Sequence, residues 1–409
     1  MNIKGVAILL AVLLAGAIAN TAQAQVRSSI YSMFGVGDVL DNNLGMNRAL
    51  GGTGIAFQSG RSVNYLNPAS YLGMPQNCLT MEMGLYGTFN RSETSDAFRT
   101  DRRVDFGYWA ASTNCAEWWA LCVGYLPYSS IKYKIKSSSV VGGELTSFEK
   151  TFTGTGGLSR AYLGNSFAFS GGLTGGFNAS YILGTITRTE GASSSSVITE
   201  YELKSKRNVH AFYLDYGLQY TISHGDWSYV VGAVYGAGKQ LATTDSLMLT
   251  SDGATTFLDA SNQLGLGIPQ NVGIGVSVKR DDIRAGFDYR WANWSKVHIS
   301  ESVFNAKDSH RFSLGVEYTI RQQEGWLNGV SVRAGSYFNN SYMEIQNTRI
   351  NSMGATLGVG IPFSVISLNM SLEYGQEGTL TKGLVSSRYL VFYLNVSLRE
   401  FWNFLLETD

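Results

Sequence analysis

From about residue 78 to the end of the chain, apolar residues alternate with small or polar ones in segment after segment, the period of two shown by extended strands whose faces meet different surroundings. Phe312, Leu314, Val316, Tyr318 and Ile320 interleave with Arg311, Ser313, Gly315, Glu317, Thr319 and Arg321. Ile366, Leu368, Met370, Leu372 and Tyr374 interleave in the same way with Ser367, Asn369, Ser371, Glu373 and Gly375. One face suits lipid and the other a polar interior. The pattern recurs at 212–222, 227–235, 272–278 and 283–291.

Fourteen such segments can be marked, near 78–90, 102–114, 117–136, 158–170, 173–188, 206–222, 226–240, 270–279, 283–299, 309–321, 327–341, 350–361, 366–378 and 388–402. Tight turns near 114–117, 171–172, 223–226, 280–282, 322–325 and 362–365 take turns with longer polar loops. The longest loops fall near 137–157, 189–205 and 241–269, and the middle one holds the serine run 193–196. Short links on one side and long ones on the other are the habit of bacterial outer-membrane barrels, and an even strand count brings both chain ends to the periplasmic side. A soluble β-sandwich or propeller would also alternate. It would not explain the asymmetric links, or Trp291 and Trp294 at a strand end where interface girdles belong.

Residues 25–77 break the alternation, being rich in Gly and Asn with only short apolar pieces. Irregular backbone of this kind cannot face lipid, so the segment belongs in the lumen or the periplasm. A fourteen-stranded barrel is wide enough to need filling. The expected fold is therefore all-β: a 14-stranded antiparallel transmembrane β-barrel over 78–409 with an N-terminal hatch, or plug, over 25–77.

Composition agrees with strands as the spanning elements. The hydrophobic fraction is 44% with 12% aromatic residues, and the chain holds 5 Pro against 47 Gly, 23 Tyr and 20 Phe, a bias that favours paired strands. Residues 1–24 read as a cleaved signal peptide. Lys4 precedes an apolar run from Val6 to about Ile18, and Ala22-Gln23-Ala24 is a small-x-small cleavage pattern. The run is shorter than the ~20 residues of a spanning helix, and no Cys follows it to suggest a lipoprotein. The formal charge is zero, which offers no basic surplus for nucleic acid and no acidic surplus for disorder.

Three cysteines, Cys78, Cys115 and Cys122, do not make a disulfide framework. On one extended strand Cys115 and Cys122 would stand roughly 23 Å apart, against a bridging limit near ~7 Å. A pairing that involves Cys78 stays open. His210, His224, His298 and His310 fall in different segments without metal spacing. No nucleophile elbow or phosphate loop is present, and Gly154-Thr155-Gly156-Gly157 lacks the Lys and helix of a nucleotide site. No enzyme activity, cofactor or metal is expected.

Particular strings carry a family resemblance. Gly51-Gly52-Thr53-Gly54-Ile55-Ala56 followed by Asn67-Pro68-Ala69-Ser70 resembles the hatch of the FadL/TodX family of outer-membrane transport proteins, in which Asn-Pro-Ala is a hallmark. Downstream, Phe152-Thr153-Gly154-Thr155-Gly156-Gly157-Leu158 with Tyr162-Leu163-Gly164, then Pro269-Gln270-Asn271-Val272-Gly273-Ile274-Gly275, then Asp288-Tyr289 with Trp294-Ser295, are similar to strings of a divergent branch. The resemblance spans the mature chain. It implies a fourteen-stranded barrel with a hatch and passive uptake of long-chain fatty acids or other hydrophobic small molecules. It does not imply a particular ligand, because the loops that would bind it first do not align.

Four sets of residues stand out. Asn67, Pro68 and Ala69 suit a plug anchor or, with equal economy, a plain turn. Pro127, in Gly124-Tyr125-Leu126-Pro127-Tyr128 of the third segment, deletes a ladder hydrogen bond and favours a bulge. In the resembled family a kink in the third strand opens the wall, so Gly124 and Pro127 are candidates for a lateral exit; the alternative is that Pro127 starts a strand extension above the membrane. The inward face carries Glu82, Asp105, Asp215, Asp288, Glu317 and Glu373 with Lys279, Arg284, Arg290, Arg311, Arg333 and Arg399. Mixed signs suit ion pairs that tie wall to plug better than a selectivity ring. Lys132, Lys134 and Lys136 alternate at an outer strand end, where they suit lipopolysaccharide phosphates or a solvated rim.

The first functional reading is thus a channel for hydrophobic small molecules, set among outer-membrane lipid and lipopolysaccharide. The second is a non-transporting accessory subunit of a larger outer-membrane assembly, such as barrel-insertion or protein-secretion machinery, which would bring other outer-membrane proteins as partners.

Overall fold

The computed structural model describes residues 29–41, 43–140, 147–194, 201–251, 253–259, 265–297, 299, 304–322, 325 and 327–401. The expected signal peptide, His298 and part of the serine run lie outside the described residues. Fourteen antiparallel strands close on themselves. They are β1 (Cys78–Glu93), β2 (Phe98–Ala116), β3 (Trp119–Val140), β4 (Ser147–Ala168), β5 (Leu173–Ser194), β6 (Tyr201–His224) and β7 (Trp227–Gly236), then β8 (Asn271–Arg280), β9 (Ile283–Ala292), β10 (Ser309–Thr319), β11 (Ser331–Asn340), β12 (Ser352–Pro362), β13 (Ile366–Gly378) and β14 (Ser386–Phe401). Each pairs with the next in sequence, and β1 pairs with β14 from Cys78↔Phe401 to Glu93↔Ser386 to complete the cylinder.

Closure removes the free edges that lipid could not satisfy. The alternation read from the sequence sets the faces: on β10, Phe312, Leu314, Val316 and Tyr318 are exposed on the outer wall, while Arg311, Ser313, Gly315 and Glu317 are buried toward the interior. Links at one end are short except between β10 and β11, where residues 320–330 make a longer connection than the tight turn expected near 322–325, and the cysteines sit near that end. Cys115 closes β2 and Cys122 lies on β3, so the two occupy adjacent strands, not one strand as the spacing estimate supposed, and all three cysteines are free.

The other end departs from the segment lengths expected. Strands β3, β4 and β5 have 22 residues and β6 has 24, against 10 for β7, β8 and β9. Most of the residues expected to loop at 137–157 and 189–205 continue the ladder as a projecting sheet. Within the expected 241–269 loop, a hairpin of Ala242–Ser251 and Ala254–Leu258 extends that sheet by pairing with Tyr201 to His210 of β6. Ser, Thr and Gly signal loops in a single sequence, yet here cross-strand pairing outweighs local propensity. Trp294 is likewise not in a girdle: it is buried in the loop-end core, stacked on Tyr342 at 4.1 Å. Around it Tyr31, Phe34, Ile131, Ile182, Ile186, Phe304 and Ile350 form the largest apolar cluster.

The face assignment predicts an asymmetry between neighbours on β10. Val316→Arg places a guanidinium against hydrocarbon and should cost about 2–4 kcal/mol in equilibrium unfolding from lipid vesicles. Ser313→Ala, on the inner face, where the Ser313 hydroxyl has no hydrogen-bond partner, should stay within about 0.5 kcal/mol. Equal costs would contradict the assignment.

Candidate functional site: a filled interior and a break in the wall

Residues 29–41 and 43–77 pack against the inner face of the barrel. Gly51, at φ 66°, closes a short 3₁₀ turn (Gly45–Leu50) and comes so near β11 that a Cβ there would lie 2.5 Å from the Ser336 carbonyl oxygen. Its N–H donates to Thr356 Oγ1 at 2.9 Å, and the Thr356 hydroxyl donates to the Ala49 carbonyl at 2.9 Å. The N–H groups of Gly54 and Ile55 both donate to Asp288 Oδ2, at 2.7 and 2.9 Å. Asp288 Oδ2 thus accepts from two consecutive backbone donors.

Asn67, Pro68 and Ala69 form the start of a second 3₁₀ turn (Pro68–Gly73). Asn67 Oδ1 caps it by accepting from the Ala69 N–H at 3.0 Å, and Pro68 occupies the first helical position, where no N–H is needed. The Asn67 amide nitrogen donates to Ile55 O at 2.8 Å and Leu218 O at 3.0 Å, which stitches the turn to both the segment and β6. This corner seats in a notch the sequence reading missed. Gly176 of β5 and Gly217 of β6 are directly paired. A Cβ on Gly217 would lie 2.0 Å from Asn67 Oδ1, and one on Gly176 would lie 2.7 Å from Pro68 C.

The predicted interior charges are placed as follows. Glu82 is buried and accepts from the Val63 N–H at 2.8 Å, Ser62 Oγ at 3.1 Å, Asn395 Nδ2 at 2.9 Å and the Tyr108 hydroxyl. Glu317 bridges Arg284 at 2.7 Å and Arg333 at 2.6 Å, and Arg284 reaches on to the Gln58 carbonyl at 2.7 Å. Arg311 pairs with Asp41 at 2.8 Å and lies over the Tyr337 ring at 4.0 Å, while Arg290 meets the same Asp41 at 3.6 Å. Asp215 pairs with Arg160 at 3.3 Å and accepts from Tyr65 Oη at 3.0 Å. Glu373 accepts from Tyr337 at 2.6 Å and Tyr393 at 2.9 Å. Asp105 is half-buried, Lys279 is exposed at the turn-end rim, and Arg399 reaches the Ser364 carbonyl at 3.4 Å there. Asp41, Arg48, Tyr65, Tyr108 and Arg160 complete these networks and were not singled out from the sequence. Nothing in their local pattern marks them, since their partners lie far along the chain.

Two cavities flank the segment. One of about 300 Å³ toward the loop end is lined by Asp41, Arg48, Arg160, Asp215, Arg290 and Arg311 with tyrosines. The other, about 560 Å³ toward the turn end, is lined by Arg61, Arg284, Glu317, Arg333 and Arg399. Between them Leu50 packs on Gly315 and Gly335, where a Cβ would lie within 2.7 Å of Leu50 backbone or side-chain atoms.

The wall itself is not continuously paired. The β2 to β3 ladder runs from Ala116↔Trp119 only as far as Trp109↔Tyr125. Ala110↔Gly124 is one of its last rungs. On β3 the register to β4 then shifts between Pro127↔Ser159 and Ser129↔Leu158, so Tyr128 is an extra, bulged residue. On β2 the register to β1 shifts at Gly107, between Gly84↔Tyr108 and Leu85↔Phe106. Past these bulges the two strands part. The edge of β3 is taken instead by the N-terminal segment, through Val39↔Ser129, Asp38↔Ser130 and a hydrogen bond from the Leu40 N–H to the Tyr128 carbonyl at 3.0 Å. Beside the break, Val104 and Phe98 are 79% and 65% exposed. Lys132, Lys134 and Lys136 continue along β3 beyond it, and Lys136 pairs with Glu149.

The family model named BamG matches residues 3–405. The chain belongs to the BamG family. Among solved structures, the Pseudomonas putida toluene transporter TodX aligns with TM-score 0.61 and 16% identity over 89% of this chain and 100% of its own. A Pseudomonas aeruginosa FadL homologue aligns with TM-score 0.59 and 12% identity over 88% and 99%, and the Ralstonia pickettii toluene transporter TbuX with 0.56 and 15% over 88% and 99%. These identities establish shared architecture: the BamG-family chain is a barrel of the FadL/TodX type. A comparison with curated proteins finds no match.

The notch predicts coupled energetics. Asn67→Ala removes one cap and two ties to buried carbonyls and should cost about 2 kcal/mol. Gly217→Ala should cost about 1–3 kcal/mol by overlap with Asn67, and noticeably less when Asn67 is already Ala. A double-mutant cycle by urea unfolding checks this, and strict additivity would contradict the contact.

Proposed function

We propose that this protein is an outer-membrane channel for passive uptake of hydrophobic small molecules of the long-chain fatty-acid kind, with a lateral exit between β2 and β3. The observation that carries the reading is the loss of β2 to β3 pairing beyond Trp109↔Tyr125. A wall that must satisfy its backbone groups internally in hydrocarbon would not leave this ladder open without use. Gly124 and Pro127 stand at the lower rim of the opening, and Pro127 cannot donate to restore a ladder there. Residues 25–77 act as the hatch: the corner at Asn67, Pro68 and Ala69 fixes its base to β5 and β6, and residues 38–41 form the part that covers the opening. The turn end and both chain ends face the periplasm, and the loop end receives the ligand. Fold kinship with proteins described as toluene transporters supports this reading.

A second reading is favoured by one specific observation. The loop-side cavity carries Asp41, Arg48, Arg160, Asp215, Arg290 and Arg311 among apolar neighbours such as Val234, Ile268 and Trp294, and an apolar solute there would strip water from polar groups it cannot satisfy. On this reading the barrel is a non-transporting subunit of a larger outer-membrane assembly, and the interior charges serve only to hold the hatch.

A reversible lock separates the two. In a background without native cysteines, Val39→Cys with Ser129→Cys joins directly opposed residues, within bridging range for antiparallel partners. Uptake of labelled fatty acid by cells that depend on this protein should fall to background when the pair is oxidised and recover on reduction. Uptake that is unchanged by oxidation rules out the lateral route, and absence of uptake together with stoichiometric partners in mild detergent favours the second reading.

A further inference from the structure

The outer wall presents an apolar groove with a pair of half-exposed guanidiniums near it. The groove, of about 540 Å³, runs across β10 to β13. The cross-strand register explains why the groove exists. At one level of the wall Leu314, Ser336, Ala355 and Tyr374 follow one another as direct partners. The next level toward the loop end reads Phe312, Phe338, Met353 and Gln376. Two small side chains, Ser336 and Ala355, are thus sunk among large ones on a face that otherwise meets hydrocarbon, and a straight chain fits the dent.

The guanidinium pair lies on the same rung of paired residues as the groove's rim. Gln376 is paired with Arg388 of β14, and Arg388 is paired with Arg91 of β1. Both side chains are about half exposed on the outer surface, at 54% and 52%. Like charges placed directly opposite on paired strands repel. The single carboxylate between them, Glu93, lies 3.8 Å from each, too far for the 2.7–2.9 Å bonds that would fill a guanidinium fork. A third guanidinium, Arg102, is one step nearer the membrane centre and sits over the Phe89 ring at 5.0 Å.

The geometry points to lipid A, with a phosphate bound by Arg91 and Arg388 and one acyl chain laid in the groove over Ser336 and Ala355. Guanidinium forks match phosphate oxygens two at a time, and the groove supplies apolar burial that free phosphate would lack. The occupant is an anionic lipid of the leaflet at the loop end; this assignment requires the barrel to be in a membrane but does not depend on transport.

Native mass spectrometry of the detergent-purified, delipidated barrel titrated with lipid A tests it, with phosphatidylethanolamine and inorganic phosphate as separate probes. Lipid A should bind at one per barrel, phosphatidylethanolamine much more weakly, and phosphate should not displace lipid A. At roughly fivefold per arginine near a charged surface, R91Q with R388Q should weaken lipid A binding by about 25-fold, R91K with R388K less, and S336L with A355L should weaken it without touching the arginines. Heat-dependent gel mobility verifies that each variant is folded, and the lysine pair keeps the test decisive if the glutamine pair is not. Unchanged lipid A binding in the arginine or groove variants, equal binding of the two lipids, displacement by phosphate alone, or a protein in place of lipid on the purified barrel would each overturn the assignment.

Discussion

A cylinder of fourteen strands is wider than its own inward side chains can fill, and in hydrocarbon its wall cannot leave backbone groups unpaired. These two demands govern the molecule. The first is met by bringing an irregular N-terminal segment indoors, where its many N–H and C=O groups need partners. The inner wall supplies them through Asp288, Thr356, Glu82 and Gln219, which accept from or donate to backbone atoms of residues 49–63. Close approach is possible because the wall is carved where the segment touches it. Gly176 and Gly217 admit the corner at Asn67 and Pro68, and Gly315 and Gly335 admit Leu50.

The second demand is met along most of the described ladders, and its longest interruption lies between β2 and β3. There the bulges at Gly107 and Tyr128 turn the two strands apart, and the segment that fills the lumen also supplies the strand, Asp38 and Val39, that occupies the vacated edge of β3. Filling and covering are thus done by one piece of chain. A displacement that frees residues 38–41 does not have to disturb the anchor at Asn67, because the two lie on different parts of the segment and on different strands. The charged networks on either side of Leu50 belong to the same logic. Glu317 holds Arg284 and Arg333 below, and Asp41 holds Arg290 and Arg311 above, so charges of both signs are mixed instead of forming a ring of one sign.

The architecture was legible because its signal is repeated. The alternation at 309–321 and 366–378 and the even count of segments imply a closed barrel of paired strands, and the fourteen-stranded cylinder has that form. Lengths at the loop end were not legible. Residues 147–157 and 185–194 are rich in Thr, Gly and Ser and become strands only because each has a long partner to pair with, a fact no local pattern contains. Pro127 was legible as a disturbance in the third strand, but not what covers it, since Asp38-Val39 is too short to announce a strand. Trp294 was misplaced because an aromatic at a strand end suits a girdle and a buried core equally well from sequence alone. Among 47 glycines, no spacing distinguishes Gly176 and Gly217, whose role depends on a backbone that approaches from more than a hundred residues away.

The opening and its cover depend on the interrupted ladder, and amide hydrogen exchange of the barrel in lipid nanodiscs, resolved to single residues, measures it. The β2 amides between residues 98 and 108 that point toward β3 should exchange orders of magnitude faster than their neighbours bonded to β1, while β8 through β13 stay uniformly protected. Uniform slow exchange along both edges of β2 would mean that β2 and β3 pair over their whole length, and the opening and the covering role of residues 38–41 would both be wrong.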